Sequence, residues 1–255
     1  MTMKKEKRVI SEKEQFIRGV AIPEATKSYQ PLSHGQQIDI LLEEASALGF
    51  SLLGQPAISW SKEGLVYAGT FNLTHPDISD PDMGIRIAEM NSYNSKKSAR
   101  VISGGNVFVC TNGMMHGDFI LSRKHTPGNS ITNGVVDDFK SMVKQSLEKS
   151  FNTFEELVDD KDRLQSVKFD TKVSAWLVDK LLFEEELLNV SQFQFLKQEM
   201  YVSKNFAVGK DGLITLWDFY NNVTEALKTT RPEENVQKHL ALHKYTMENL
   251  VDYKF

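Results

Sequence analysis

The apolar positions change period twice along the chain. In QQIDILLEEASALGF, residues 36–50, Ile38, Leu41, Leu42, Ala45 and Leu48 recur at the spacing of one helix face, and Gly49 stands where a C-terminal cap belongs. From Ser51 to Thr126 the runs are short and rich in β-formers: SLLGQPAISW, GLVYAGTFNL, GIRIAEMNSY, ARVISGGNVFVCTN and DFILSRKHT, punctuated by Gly, Pro, Asn and Asp. They predict an antiparallel meander of about five strands, with a hairpin around Lys62–Gly64 and a tight turn at Asn112-Gly113. In GIRIAEMNSY, Ile85, Ile87 and Glu89 alternate with Arg86, Ala88 and Met90, which places this run within the sheet. After Asn129 the period becomes helical again. Val135, Val136, Phe139, Met142, Val143 and Leu147 form one stripe, the cover that a sheet with an apolar face requires. Helical runs continue over 153–165, 171–187, 190–201, 212–228 and 233–251, with breaks at Lys210-Asp211-Gly212 and from Thr229 to Pro232.

The pattern predicts an α+β fold: an antiparallel β-meander covered by a long helix, with a helical C-terminal region. Residues 1–35 are expected as a flexible arm, because 1–15 mix Lys and Glu and 16–35 hold Pro23 and Pro31. Residues 36–152 form the sheet core, and 153–255 pack on it as the helical region.

Composition narrows the setting. With 255 residues, 40% of them hydrophobic, the chain can bury a sizeable core without staples. A single cysteine forms no internal disulfide and fits a reducing compartment. The N-terminal MTMKKEKRVISEKEQF has no apolar core after its basic residues, so no secretory signal is expected. No window reaches the roughly 20 apolar residues of a membrane helix. These features lead us to expect a cytoplasmic protein with no membrane partner.

The net charge of −4 is mild, but its distribution is not. Between Arg86 and His125 six basic residues (Arg86, Lys96, Lys97, Arg100, Arg123, Lys124) face two acids, a net +4. Between Phe151 and Met200 eleven acids face six bases, a net −5.

Candidate chemistry is sparse. Cys110, His116 and His125, with Asp118 between, are metal-ligand types, but they lack the paired spacing of zinc sites. Cys110 therefore reads as a half-buried strand residue, with a metal and a nucleophile as the rarer alternatives. The loop MNSYNSKKSAR carries Asn91, Ser92, Asn94 and Ser95 around Tyr93, followed by Lys96, Lys97 and Arg100. Such residues bond phosphates, and an aromatic among them can stack a base; the same composition also suits a solvated hairpin tip. SRKHTPGNS adds Arg123, Lys124 and His125 ahead of a helix N-terminus. If the two loops converge on one edge, they form a phosphate track. Gly104-Gly105 has no Lys-Ser/Thr after it and is not a phosphate loop. Leu216, Trp217, Tyr220 and Leu227 read as core, Glu184–Glu186 as a solvated helix end, and His239 with His243 as a surface pair. No cofactor or metal is expected.

The order of GIRIAEMNSYNSKKSARVISGGNVFVCTNGMMHGD and SRKHT resembles the domain-of-unknown-function 932 family. The matching pieces are Asn91-Ser92, Gly104-Gly105, Val109 to Gly113 and Lys124-His125-Thr126; LITLWDFYNNVTEAL at 213–227 resembles the family's C-terminal helix. The resemblance implies a phage or plasmid setting and supplies no catalytic residues.

Two functions from different classes follow. The first is a nucleic-acid-binding protein, single-stranded DNA favoured, acting in annealing or recombination. Tyr93 would stack a base, and Lys96, Lys97, Arg100, Arg123, Lys124 and His125 would contact phosphates. The layout of a meander under one long helix is shared with Rad52-like annealing proteins, an analogy of fold alone. The second is a non-enzymatic factor that binds a host protein and counters or modulates defence through its acidic region. An enzyme built on Cys110, His116 and His125 is the least favoured reading. Homo-oligomerisation is left open by the sequence.

Overall fold

The computed structural model describes residues 8–78, 80–94, 98–107, 113–126, 134–202 and 206–255, without the side chains of 106–120, 232, 233 and 236. The α+β class holds: an antiparallel sheet flanked by helices is followed by a largely helical C-terminal region.

Helix α1 (Glu12–Arg18) starts at Ser11, whose hydroxyl accepts from Glu14 N–H. Helix α2 (His34–Ala47) starts in a reciprocal capping box between Ser33 and Gln36. Then come β1 (Ser51–Leu52), β2 (Ala57–Ser61), β3 (Val66–Thr74), β4 (Met83–Ser92), β5 (Ala99–Val107) and β6 (Gly113–Arg123). They pair in the order β1-β3-β4-β5-β6, with β2 also on β3. The run SLLGQPAISW is therefore two short strands, parted at Gly54-Gln55-Pro56, that share the outer edge of β3. The expected hairpin at Lys62–Gly64 is present, with all three residues at positive φ. The sheet is a meander as expected; the turn read at Asn112-Gly113 and the strand end at Cys110 lie outside the described residues.

Strand β4 is buried along its whole length, on both faces. One face presents Ile85 and Ile87, and with Tyr67, Phe71 and Val101 it packs in the core containing Ile38 and Leu41 of α2 and Phe139, Val143 and Leu147 of α3 (Val135–Asn152). The other face presents Ala88 and Met90, which meet Ile102 and Leu240 of α8 (Pro232–Asn249). The single cover expected from the sequence is thus half of the arrangement, since the last helix returns across the second face.

Between these layers the chain builds α4 (Phe154–Ser166), β7 (Lys168–Asp170), α5 (Thr171–Asp179), a π-helical turn (Lys180–Glu184), α6 (Val190–Val202), β8 (Leu213–Thr215) and α7 (Leu216–Leu227). Strands β7 and β8 pair with each other, Phe169 opposite Ile214. Helix α7 buries Leu216, Trp217, Phe219, Tyr220, Val223 and Leu227, as expected of a core helix. Lys161 of α4 is buried and bonds Asp80 at 2.8 Å, tying the loop before β4 to the helical region.

The N-terminal arm needs correction from Arg8 onward. Ile17 and Leu32 are core residues. Glu14 is buried and accepts from Arg8 and, at 2.9 Å, from Arg18, which also pairs with Asp39 of α2 at 2.8 Å. Burial alone would raise the Glu14 carboxyl, but the bonds from the two arginines outweigh it and hold it below its ordinary range.

Candidate functional site

Among the residues singled out from the sequence, those that are described do not share one surface. Tyr93 is only 6% exposed; its ring stacks on His34 at 3.9 Å, and its hydroxyl accepts the His34 N–H at 2.9 Å. It satisfies one of the open donors at the start of α2 and has no free face for a base. Arg100 is half-buried, bonds Ser98 Oγ at 3.5 Å, and lies opposite Met90 and Ser122, hence on the α8 side of the sheet. Arg123 lies opposite Ala99, on the α3 side, where Asp138 pairs with its Nε at 2.7 Å and Thr126 Oγ1 accepts from Nη1. Lys124 is exposed and His125 is buried. Lys96, Lys97 and Cys110, and the side chain of His116, lie outside the described residues. Adjacent positions on paired strands thus send Arg100 and Arg123 to opposite faces, and Arg123 is paired with Asp138. Among the described residues no cluster of metal-ligating side chains is found, and no helix is long and apolar enough to cross a membrane.

What Asn91, Tyr93 and His125 form instead is a buried lock between the arm, α2 and the sheet. The Asn91 amide donates to Leu32 O at 2.7 Å and to His34 Nδ1 at 3.1 Å, while its oxygen accepts the Ser92 N–H at 2.9 Å. With Nδ1 accepting, His34 donates from Nε2 to Gly64 O at 2.9 Å, so its ring is held as one neutral tautomer. Burial lowers the His34 pKa to about 4, against the smaller effect of the Gly64 bond, and His125 lowers it further. His125 accepts the Gln30 N–H through its backbone carbonyl at 2.9 Å, and its ring meets Tyr29 edge-on. Neither of its ring nitrogens meets a hydrogen-bond partner among the described residues, and burial, then Arg123, lowers its pKa.

Next to this lock, Tyr67 donates its hydroxyl hydrogen to Glu89 Oε1 at 2.6 Å. The second carboxyl oxygen is buried without a partner among the described residues. Burial pushes the Glu89 carboxyl up to about 8, more than the Tyr67 bond pulls it down. The Glu89 side chain therefore carries its proton at neutral pH. The lock is internal and polar, and its role is to hold the arm and α2 on the sheet.

The open feature lies on the other face. Over β2, β3 and β4 runs a groove of about 500 Å³. Its floor is made of small or hydroxylated side chains, Ala57, Ser59, Ala68, Thr70 and Ala88, and at one end Arg86 donates to Asn72 Oδ1 at 2.8 Å. Its wall comes from Lys228, Thr230, Asn235 and His239. Lys228 is held by Glu225. His239 and His243 are both buried, not a surface pair: His239 lines the groove, and His243 lies 3.4 Å from Asp160. Sequence reading missed this groove. The available signal was the parity of Ala57, Ser59, Ala68 and Thr70, small residues at alternate positions of two paired strands, which leave a hollow where bulky side chains would fill the face.

Nothing among curated proteins or solved structures matches the chain. The profile of one family, described as a domain of unknown function (DUF932), matches residues 80–247, from the loop before β4 through most of α8. This span takes in Asn91, Tyr93 and His125 of the lock and the His239 wall of the groove, and the chain belongs to the DUF932 family.

Proposed function

We propose that this protein binds single-stranded nucleic acid, with single-stranded DNA favoured, in the groove between the β2–β4 strip and the start of α8. The supporting observation is an open hollow with the largely buried Arg86 fixed at its end by Asn72 and Lys228 on its wall. Guanidinium and ammonium groups bind phosphate oxygens, and the Ser59, Thr70 and Thr230 hydroxyls with the Asn235 amide supply neutral donors along the strand. The small floor residues let a sugar–phosphate backbone approach the sheet. The phage or plasmid setting implied by the resemblance agrees with an annealing or recombination role in the host cytoplasm.

The test is fluorescence anisotropy with a labelled oligothymidylate. Two phosphate contacts on a single strand give binding about sevenfold weaker at ~200 mM salt than at ~50 mM. Ser59→Glu with Thr70→Glu, on the solvent side of the floor, should weaken binding at least ~10-fold through like-charge repulsion while leaving the melting temperature nearly unchanged. Absence of binding by the unaltered protein at ~50 mM salt overturns the proposal.

A further inference from the structure

Three aromatic rings meet at a hollow of about 280 Å³ beside the C-terminal ends of α2 and α3. Phe50 follows α2, His75 follows β3, and Phe151 stands in the last turn of α3. The His75 and Phe151 rings lie 4.9 Å apart at 77°. Phe50 and Phe151 are 6.4 Å apart at 82°, and Phe50 and His75 4.9 Å apart at 56°. Three planes at such steep angles enclose a corner. Phe50 is buried, and its N–H closes the end of α2 on Ala45 O at 2.9 Å. Gly49 lets the His75 ring approach that end, since a Cβ there would sit 2.9 Å from Nε2. His75 Nδ1 accepts the Asp77 N–H at 3.2 Å, so the ring is the neutral tautomer and adds no positive charge. Phe151 is 37% exposed.

Electrostatics select the occupant. The other lining residues are Leu48, Glu148 and Asn152; among the described residues no lysine or arginine lines the hollow. Lys144 stands 3.8 Å from Glu148, but both are about half exposed, and so loose a pair leaves the carboxylate open to a second cation. Leu48 caps α2 and Asn152 ends α3, so two helix C-termini bring partial negative charge to the same place. Aromatic faces are negative as well, and they attract a cation within about 6 Å of their centroids. An anion meets repulsion from all three sources, and a neutral group gains nothing from Glu148. We propose that this corner binds a methylated ammonium group, with Phe50, His75 and Phe151 as its cage and Glu148 as its counter-charge. The proposal does not depend on the nucleic-acid groove, which lies on the α8 face of the sheet.

The probe is choline, titrated by NMR against its neutral isostere 3,3-dimethyl-1-butanol. Choline should bind at least ~10-fold tighter than the alcohol. Phe151→Leu keeps an apolar wall and removes one ring, while Glu148→Gln removes the counter-charge. Each should cut that preference at least ~3-fold and leave the melting temperature nearly unchanged, because both positions are exposed. Equal binding of choline and the alcohol, no binding of choline at millimolar concentration, or full preference in either variant overturns the proposal. A trimethyllysine peptide identifies the source of the group. Binding tighter than choline's assigns the corner to a modified protein side chain, binding no tighter assigns it to a free solute, and both support the cage. Oligonucleotide binding should survive in both variants, so the two proposals fail independently.

Discussion

Gly69→Ala should destabilise the fold by about 3 kcal/mol, lowering the melting temperature by roughly 6 to 12 °C for a chain of this size. Gly69 lies opposite Glu89 in the β3–β4 pairing, under the ring of Tyr67. A Cβ there would sit 2.2 Å from Tyr67 Oη, 2.9 Å from its Cζ and 3.0 Å from Phe71 Cε2. Tyr67 and Phe71 are both fully buried, so neither ring can swing aside into solvent. Moving Tyr67 would also break its bond to Glu89 and leave a buried carboxyl with no partner on either oxygen among the described residues. The control is Gly35→Ala in the first turn of α2. There the added methyl meets Arg18 Nη1 at 3.4 Å and Cγ at 3.5 Å, ordinary van der Waals contacts, and alanine is the better helix former by about 1 kcal/mol. Thermal melts of the two variants should move in opposite directions. Equal small shifts would mean that the Tyr67–Gly69 contact is not as tight as described.

The second large effect is a stability that falls as the solution becomes alkaline. Glu89 ionises near 4.5 when unfolded and at about 8 when folded. Within that window the native state holds a proton that the unfolded chain has released, so stability is complete below about 4.5 and is lost as pH rises through about 8. His34 acts in the opposite sense. Its native pKa of about 4 lies below its ordinary 6.5, so its contribution is complete above 6.5 and is lost as pH falls through about 4. The two slopes oppose one another between about 4.5 and 6.5, and above 6.5 only Glu89 still acts. The protein should therefore be more stable near pH 6 than near pH 8, by about 1–2 kcal/mol once the opposing part of His34 is subtracted. Glu89→Gln removes the titration and should flatten that decline, making the variant more stable than the parent near pH 8 and similar to it near pH 4.5. A parent protein equally stable at pH 6 and 8, or a variant with the same decline, would contradict the burial of an ionisable Glu89.

How much of this was legible in the sequence depends on the range of the signal. Helices α2 and α3 announced themselves through the stripes at Ile38–Leu48 and Val135–Leu147, because a 3.6-residue period is a local property. β7 and β8 have three residues each, too few to show any period, so 212–228 read as one helix. α8 gave no sign that it covers the sheet, because its inward residues include His239 and His243 beside Leu240 and Leu242. The arm looked flexible because its pinning is long-range: Glu14 to Arg18 and on to Asp39, and Leu32 O to Asn91. Arg100 and Arg123, the described arginines of the expected basic track, part on register. Ala99, not Arg100, faces Arg123, and a shift between Ile102 and Gly104 interrupts the β5–β6 pairing; one residue of register decides which face a side chain takes. The groove needed three-dimensional information for the same reason, since Arg86, Thr70 and His239 meet only after β4 pairs with β3 and α8 returns.

The measurement that addresses the nucleic-acid proposal most directly is hydrogen–deuterium exchange of the protein with and without an oligothymidylate at low salt. Binding in the groove predicts slower exchange over 57–70 and 228–239, with the α5–α6 region unchanged. Protection elsewhere, or none in the presence of saturating oligonucleotide, would contradict it.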